Sequence, residues 1–274
     1  MESDDALRHA GGTYALSAED RDALRAAKRS LEAPGLTAKL ANLLGAPIEG
    51  FIRNLPRTWS SVITRATARA LHLALDTALI TVANPRSRPS RDRLHTLMVA
   101  GTGAVGGAFG LAALAVELPA STVVILRSIL DIARSEGEDL GTVEARLACI
   151  EVFALGGRTS RDDADESAYF AARAALASAV TEAARYLGAK RVAQRGAPVL
   201  VRLISEVAGR FGATVTQKVA AQAVPVVGGL GGATLNILFM GHFQSVARGH
   251  FVVRRLERKY GADVIREEYH RLTV

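Results

Sequence analysis

Two long stretches of this chain carry no Asp, Glu, Lys or Arg: residues 94–116 and residues 219–247. Each exceeds the roughly 20 residues that an apolar helix needs to cross a bilayer. Each is also rich in glycine, at 101, 103, 106, 107 and 110 in the first and at 228, 229, 231, 232 and 241 in the second. Glycine inside a helix in water costs about 0.5–1 kcal/mol relative to alanine. So many glycines need close tertiary packing, or a bilayer, to offset that cost. Gly101, Gly106, Gly110 and Ala113 fall near one helical face, as do Gly228, Gly232 and Asn236. That is how helices approach through small side chains. For spanning a membrane the composition is weak. Gly, Ala, Thr and Ser add little transfer energy, and Gln222, Asn236 and His242 would need partners in hydrocarbon. Buried helices of a folded core are the first expectation, and shallow insertion into a membrane face the second.

The rest of the chain agrees with a helical core. Of 274 residues, 49 are Ala and only 5% are aromatic, which argues against a β-sandwich and favours closely packed helices. Cys149 is the single cysteine, so an internal disulfide and a Cys-only metal site are excluded. Ser17 and Asp20 have the spacing of a helix start, and Pro34-Gly35 stops that helix. Trp59, Val62, Ile63, Ala66, Ala70 and Leu73 recur at helical spacing, ending near Asn84-Pro85. Pro119 suits the first turn of a new helix after Glu117-Leu118. Leu235, Phe239, Phe243, Val246, Val253, Leu256 and Tyr260 make one apolar stripe. The expected fold is all-α: a flexible lead over 1–16, then a single helical domain over 17–274. That domain is a bundle of about nine to eleven helices whose core is the two Gly-rich segments.

Residues 101–106 also spell G-x-G-x-x-G, the turn that brings backbone amides to a pyrophosphate in dinucleotide folds. That reading needs strands at 96–99 and 122–126, with Arg127-Ser128 after the second. The helical step Val123, Leu126, Leu130 opposes it, and no further strand–helix alternation follows.

Charge suggests partners. The formal net charge is +7, from 34 Lys and Arg against 27 Asp and Glu. Arg86, Arg88, Arg91 and Arg93 precede the first charge-free stretch, while Arg254, Arg255 and Arg258 follow the second. Basic residues flanking an apolar segment suit attachment to anionic lipid, at about 1 kcal/mol per residue near the surface. Nucleic acid is disfavoured, because the basic stretches lack interleaved aromatics and any reading motif. The N-terminus has no secretory pattern, so the expected location is cytoplasmic, peripheral on the inner membrane face.

The sequence from Gln222 through Pro225, Gly228, Gly232 and Ala233 to Asn236 resembles the Pro-Val-x-Gly-x-x-x-Gly-Ala-x-x-Asn signature of the EcsC protein family. Its continuation is similar too: Phe239, His242-Phe243, Ala247-Arg248-Gly249-His250-Phe251 and Val253 to Gly261. Glu117-Leu118-Pro119, Arg127 and Gly137-Glu138-Asp139 resemble the upstream part. The likeness spans about residues 57–270. It implies an all-helical bacterial protein of the cytosol or inner membrane face, linked by its founding member to a transporter operon. It implies no established activity, and it weakens the dinucleotide reading.

The polar candidates are Glu117, Arg127, Glu138, Asp139, Asn236, His242, Arg248 and His250, as a ligand site or a buried polar core. A buried Glu117 needs a counter-charge, with Arg127, Arg248 and Arg254 as candidates. His242 and His250 are eight residues apart, about 12 Å along a helix, too far to share one metal ion. No metal site and no cofactor is read. The leading expectation is a non-catalytic protein that engages anionic lipid or a membrane partner. A carrier of an apolar small molecule comes second. A hydrolase pairing Glu117 or Asp139 with His242 or His250 comes third.

Overall fold

The computed structural model describes residues 16–33, 35–44, 49–53, 56–80, 111–157, 168–189, 197–222 and 231–273. Its first helix starts where the Ser-x-x-Asp spacing puts it. The Ser17 hydroxyl accepts from the Asp20 backbone N–H at 3.1 Å and donates to the Asp20 carboxylate at 3.0 Å. This opens α1, Ala18–Glu32. Two short helices follow, α2 Leu36–Leu44 and α3 Glu49–Arg53, then the long α4, Arg57–Ile80. The basic connector with Arg86, Arg88, Arg91 and Arg93, the lead at 1–15 and the G-x-G-x-x-G turn all lie outside the described residues.

Helix α5, Leu111–Ser135, corrects the expectation at Pro119, which lies inside a continuous helix instead of opening one. The missing N–H leaves the carbonyl of Ala115 without its usual donor, and Ala115 is exposed to water. The same helix covers 122–126, so the second strand required by the dinucleotide reading is absent. Thr142 caps α6, Val143–Leu155, by accepting from the Ala145 N–H. Then come α7, Ala168–Ala189, and α8, Pro198–Gln222, with proline at its first position. Helix α8 is unbroken over 25 residues, although it holds Gly209 and Gly212. Helix α9, Gly231–Tyr260, is followed by Gly261 at φ +95° and by α10, Ala262–Arg271. The fold is all-α, and no strand occurs among the described residues.

Helix α9 is the central pillar, packed against α1, α2, α5, α6, α8 and α10. Its apolar stripe is buried as its spacing predicts, with Leu235, Phe239, Phe243, Val253 and Leu256 essentially inaccessible. Phe153 of α6 and Phe211 of α8 complete an aromatic cluster with Phe239 and Phe243, at ring separations of 5.0–6.1 Å. Apolar residues from the first helix to the last join one contiguous core.

Glycine enables two close approaches. A Cβ on Gly249 of α9 would lie 2.7 Å from Leu31 Cγ and 3.0 Å from the Ala27 carbonyl oxygen, so α1 docks directly on this backbone. A Cβ on Gly157 would collide with the Arg210 carbonyl of α8. Lys28 of α1 is fully buried and donates to the carbonyls of Tyr269 and Leu272 at 3.1 and 2.7 Å. It thereby satisfies two acceptors at the end of α10 that would otherwise be orphaned.

Candidate functional site

Helices α3, α4 and α8 enclose a cleft of about 750 Å³. Apolar walls come from Ile52, Ile63, Val201 and Ile204, and the floor is narrow-sided at Ala68, Ala208, Gly209 and Gly212. Polar groups enter from Ser60, Thr64, Thr67, His72, Ser205 and Thr216. The periodicity that built the two helices also builds the cleft. Ser60, Thr64, Ala68 and His72 follow one another at steps of four on α4, and Ser205, Gly209, Gly212 and Thr216 at steps of four, three and four on α8.

Two of these five hydroxyls bond to their own helix. Thr64 donates to the Ser60 carbonyl at 2.9 Å and Thr216 to the Gly212 carbonyl at 2.8 Å. Thr67 differs. It is 1% exposed, and its hydroxyl has no hydrogen-bond partner. A buried hydroxyl without a partner costs about 1–3 kcal/mol. A Cβ built on Gly209 or Gly212 meets nothing within 4 Å, as at Gly188 and Gly241 in other helices, and unlike the packing glycines 156, 157 and 249. Two helical glycines thus face open space, where alanine would be favoured by about 1 kcal/mol each.

A second polar assembly lies partly buried in the bundle. Arg173 of α7 holds Glu257 of α9 through two bonds of 2.8 and 3.0 Å, and its guanidinium also donates to the Tyr169 hydroxyl at 3.3 Å. The same hydroxyl shares a hydrogen bond with His250 Nδ1, 3.0 Å away. Burial pushes the His250 imidazole well below its ordinary pKa, with Arg173 and Arg254 adding to the effect, so the ring is neutral. Burial also lifts the Glu151 carboxyl to about 7, because the opposing charges of Arg173 and Arg254 only partly compensate.

Glu138 receives Arg254 at 2.8 and 3.1 Å and also pairs with Arg258. Burial works to raise its pKa, but these two guanidiniums outweigh it and hold the carboxylate below its usual range. Arg255 pairs with Glu136 at 2.9 Å and lies 4.0 Å from Asp20. Hydrogen bonds from Lys259 and Tyr260 hold Asp20 down at about 2.

Several anticipated residues therefore act in contacts that the sequence did not indicate. Glu117 is buried and pairs with Lys218 of α8 at 2.9 Å, not with Arg127, Arg248 or Arg254. Lys218 is 1% exposed and sits 4.9 Å from the Phe239 ring centre. Arg127 and Arg248 are exposed. Asp139 is exposed and accepts from the Gly141 N–H at 2.9 Å within its own turn. His242 is buried, with Nε2 donating to the Gly156 carbonyl at 2.7 Å. Neither acid of the hydrolase reading meets either histidine. Asn236 is fully buried on α9. None of these candidates lines the cleft.

The cleft residues themselves were missed. The available signal was Gly209 and Gly212 inside an otherwise regular helical period, a cost with no evident compensation. Among the described residues, no group of three His, Cys, Asp or Glu is placed to hold a metal ion. No helix among them is long and apolar enough to cross a membrane.

No curated protein and no solved structure matches the chain. A family profile does, and its match starts within α1, well before the region of likeness read from motifs. Over residues 18–256, from the capped start of α1 to the Arg-rich end of α9, the sequence fits the EcsC protein family, and the chain belongs to it.

Proposed function

We propose that this protein is a non-catalytic binding protein that holds an apolar ligand in the cleft between α3, α4 and α8. The observation that carries this is the pair Gly209 and Gly212, which face open space in the cleft. Glycine there is unfavourable for the helix and unused by helix packing. It is favourable if a ligand must approach the α8 backbone closely. The cleft volume also falls within the usual range for small-molecule sites, about 300–1,000 Å³.

Docking on an anionic membrane surface through Arg254, Arg255 and Arg258 has less support. Those guanidiniums are engaged by Glu138, Glu136 and Asp20. A hydrolytic function has less support still, since the buried acids and histidines have other partners.

The test uses the full-length protein, a dye whose fluorescence rises in apolar surroundings, and the variant Gly212→Phe. A Cβ at that position meets nothing within 4 Å, so the phenyl ring starts from open space on the cleft wall. The expected result is saturable one-to-one dye binding that weakens at least tenfold in Gly212→Phe, with unchanged helicity. Equal binding by both proteins would refute the proposal.

A further inference from the structure

Resting on the cleft reading, we infer that the ligand is an acidic amphiphile: its apolar body lies in the cleft, and its carboxylate or phosphate head is held at the α4 rim by Arg65 and Arg69. The cleft itself is uncharged, since none of its described lining residues is Asp, Glu, Lys or Arg. Charge gathers just outside it. From Gly50 to Leu75, a stretch over α3 and most of α4, the chain has no acidic residue but carries Arg53, Arg57, Arg65 and Arg69. Arg65 and Arg69 each stand three positions before a lining residue, Ala68 and His72. That spacing puts the paired Cβ atoms about 5–6 Å apart on the helix surface. An arginine side chain covers such a distance, so both guanidiniums reach a group at the cleft mouth. Arg53 directly follows Ile52, a lining residue of α3.

These arginines are also unmatched. Arg53, Arg65 and Arg69 are exposed, and none of them forms an ion pair among the described residues. Arg65 donates from Nε to the Ser61 carbonyl at 3.2 Å, which leaves its two terminal nitrogens without a protein partner. By contrast, Arg173 holds Glu257, and Arg254 and Arg258 hold Glu138. On the α8 side of the cleft, Arg202, next to Val201 of the lining, binds Glu206 at 3.0 Å and Glu182 at 3.2 Å, so its charge is already matched. An acidic head group therefore finds unmatched positive charge along the α4 rim. The paired N–H groups of a guanidinium fit the oxygens of a carboxylate or phosphate.

Displacement of the same dye tests this, with decanoate, decan-1-ol and decyltrimethylammonium as monomeric competitors at about pH 8, where the acid is ionised. The three share one chain length and differ in head-group charge. At about 0.01 M salt, wild type should bind decanoate about tenfold more tightly than the alcohol, and the cation more weakly than either, since each exposed ion pair gives up to about fivefold. Raising the salt to about 1 M shortens the Debye length from about 30 to about 3 Å and should erase most of that preference. In the double variant Arg65→Gln/Arg69→Gln the preference should fall to about twofold or less. Alcohol binding and helicity should stay unchanged there, because both side chains are exposed and unpaired. The inference is overturned, with the cleft reading intact, if Gly212→Phe blocks the dye but wild type binds acid and alcohol alike, or if the double variant keeps the full preference. If the dye does not bind wild type, or binds Gly212→Phe equally, the cleft reading falls and the inference with it. A free acid and a membrane lipid offer the same head chemistry, and vesicles tell them apart. Displacement by phosphatidylcholine vesicles carrying phosphatidylglycerol, and not by pure phosphatidylcholine, places the acid on a lipid. Displacement by decanoate with no effect of either vesicle places it on a free ligand. Both results support the inference, and equal displacement by the two kinds of vesicle overturns it.

Discussion

The Glu117–Lys218 pair allows a quantitative test of how this core is held. Both side chains are almost wholly buried, 2.9 Å apart, and they join α5 to α8. Burial pushes the Lys218 ammonium below its ordinary pKa, and Glu117 is what opposes that shift. In Glu117→Gln the counter-charge is gone. Lys218 must stay charged in a dry site or give up its proton. Deprotonating an ordinary lysine, pKa about 10.4, at pH 7 costs about 4–5 kcal/mol, at 1.36 kcal/mol per unit. That value caps the loss. The range for breaking one partner of a buried pair, about 3–5 kcal/mol, lies beneath it. The sign of the pH dependence follows. In the variant the unfolded chain binds the Lys218 proton and the folded chain does not, so stability rises with pH toward about 10. The deficit relative to wild type should shrink by up to about 2.7 kcal/mol between pH 7 and pH 9. Replacing both residues, Glu117→Gln with Lys218→Met, should restore most of the loss, because apolar substitutes for a buried pair are often neutral or better. Urea unfolding followed by far-ultraviolet circular dichroism at both pH values reads all of this. A single-variant loss below about 1 kcal/mol, or a double variant as unstable as the summed singles, would refute the reasoning.

Glu151→Gln should flatten the stability profile between about pH 4 and 7. The folded carboxyl, at about 7, keeps a proton that the unfolded chain releases, so wild-type stability falls as pH rises through this window. At pH 8 the variant should gain about 3 kcal/mol, and at pH 4 it should match wild type, both measured by urea unfolding. Gly249→Ala should lose about 1–3 kcal/mol, because the added methyl drives α1 off α9 at Leu31 and Ala27, and faster proteolysis within α1 should accompany it. Gly209→Ala and Gly212→Ala should each gain about 0.5–1 kcal/mol in thermal unfolding, since nothing stands near either Cβ. A loss at either position would mean that the backbone there is packed against protein.

Helix positions were legible because they depend on local chemistry. Ser17 with Asp20 marked the start of α1, and the step of three and four from Leu235 to Leu256 marked the buried face of α9. The family was legible as well, since its signature lies in the contiguous stretch from Gln222 to Gly261. Pro119 misled because its cost is local, whereas α5 is kept continuous by the packing of Leu118, Ile125, Ile129 and Ile132 in the core.

Pairing was decided by the tertiary structure alone. Glu117 and Lys218 are 101 residues apart, and Arg254 and Glu138 are 116 apart. Composition names the charges, but only the crossing of α5 with α8, and of α9 with the turn after α5, selects which of them meet. The glycines divide for the same reason. Gly249 and Gly212 are the same residue on regular helices, yet one is pressed against α1 and the other faces an open cleft. Where helices form and which faces are apolar were readable without the fold, because both follow from neighbours within about four positions. Which small residue touches a helix, which hydroxyl is left without a partner, and where a cleft remains follow from the packing of helices far apart in the chain.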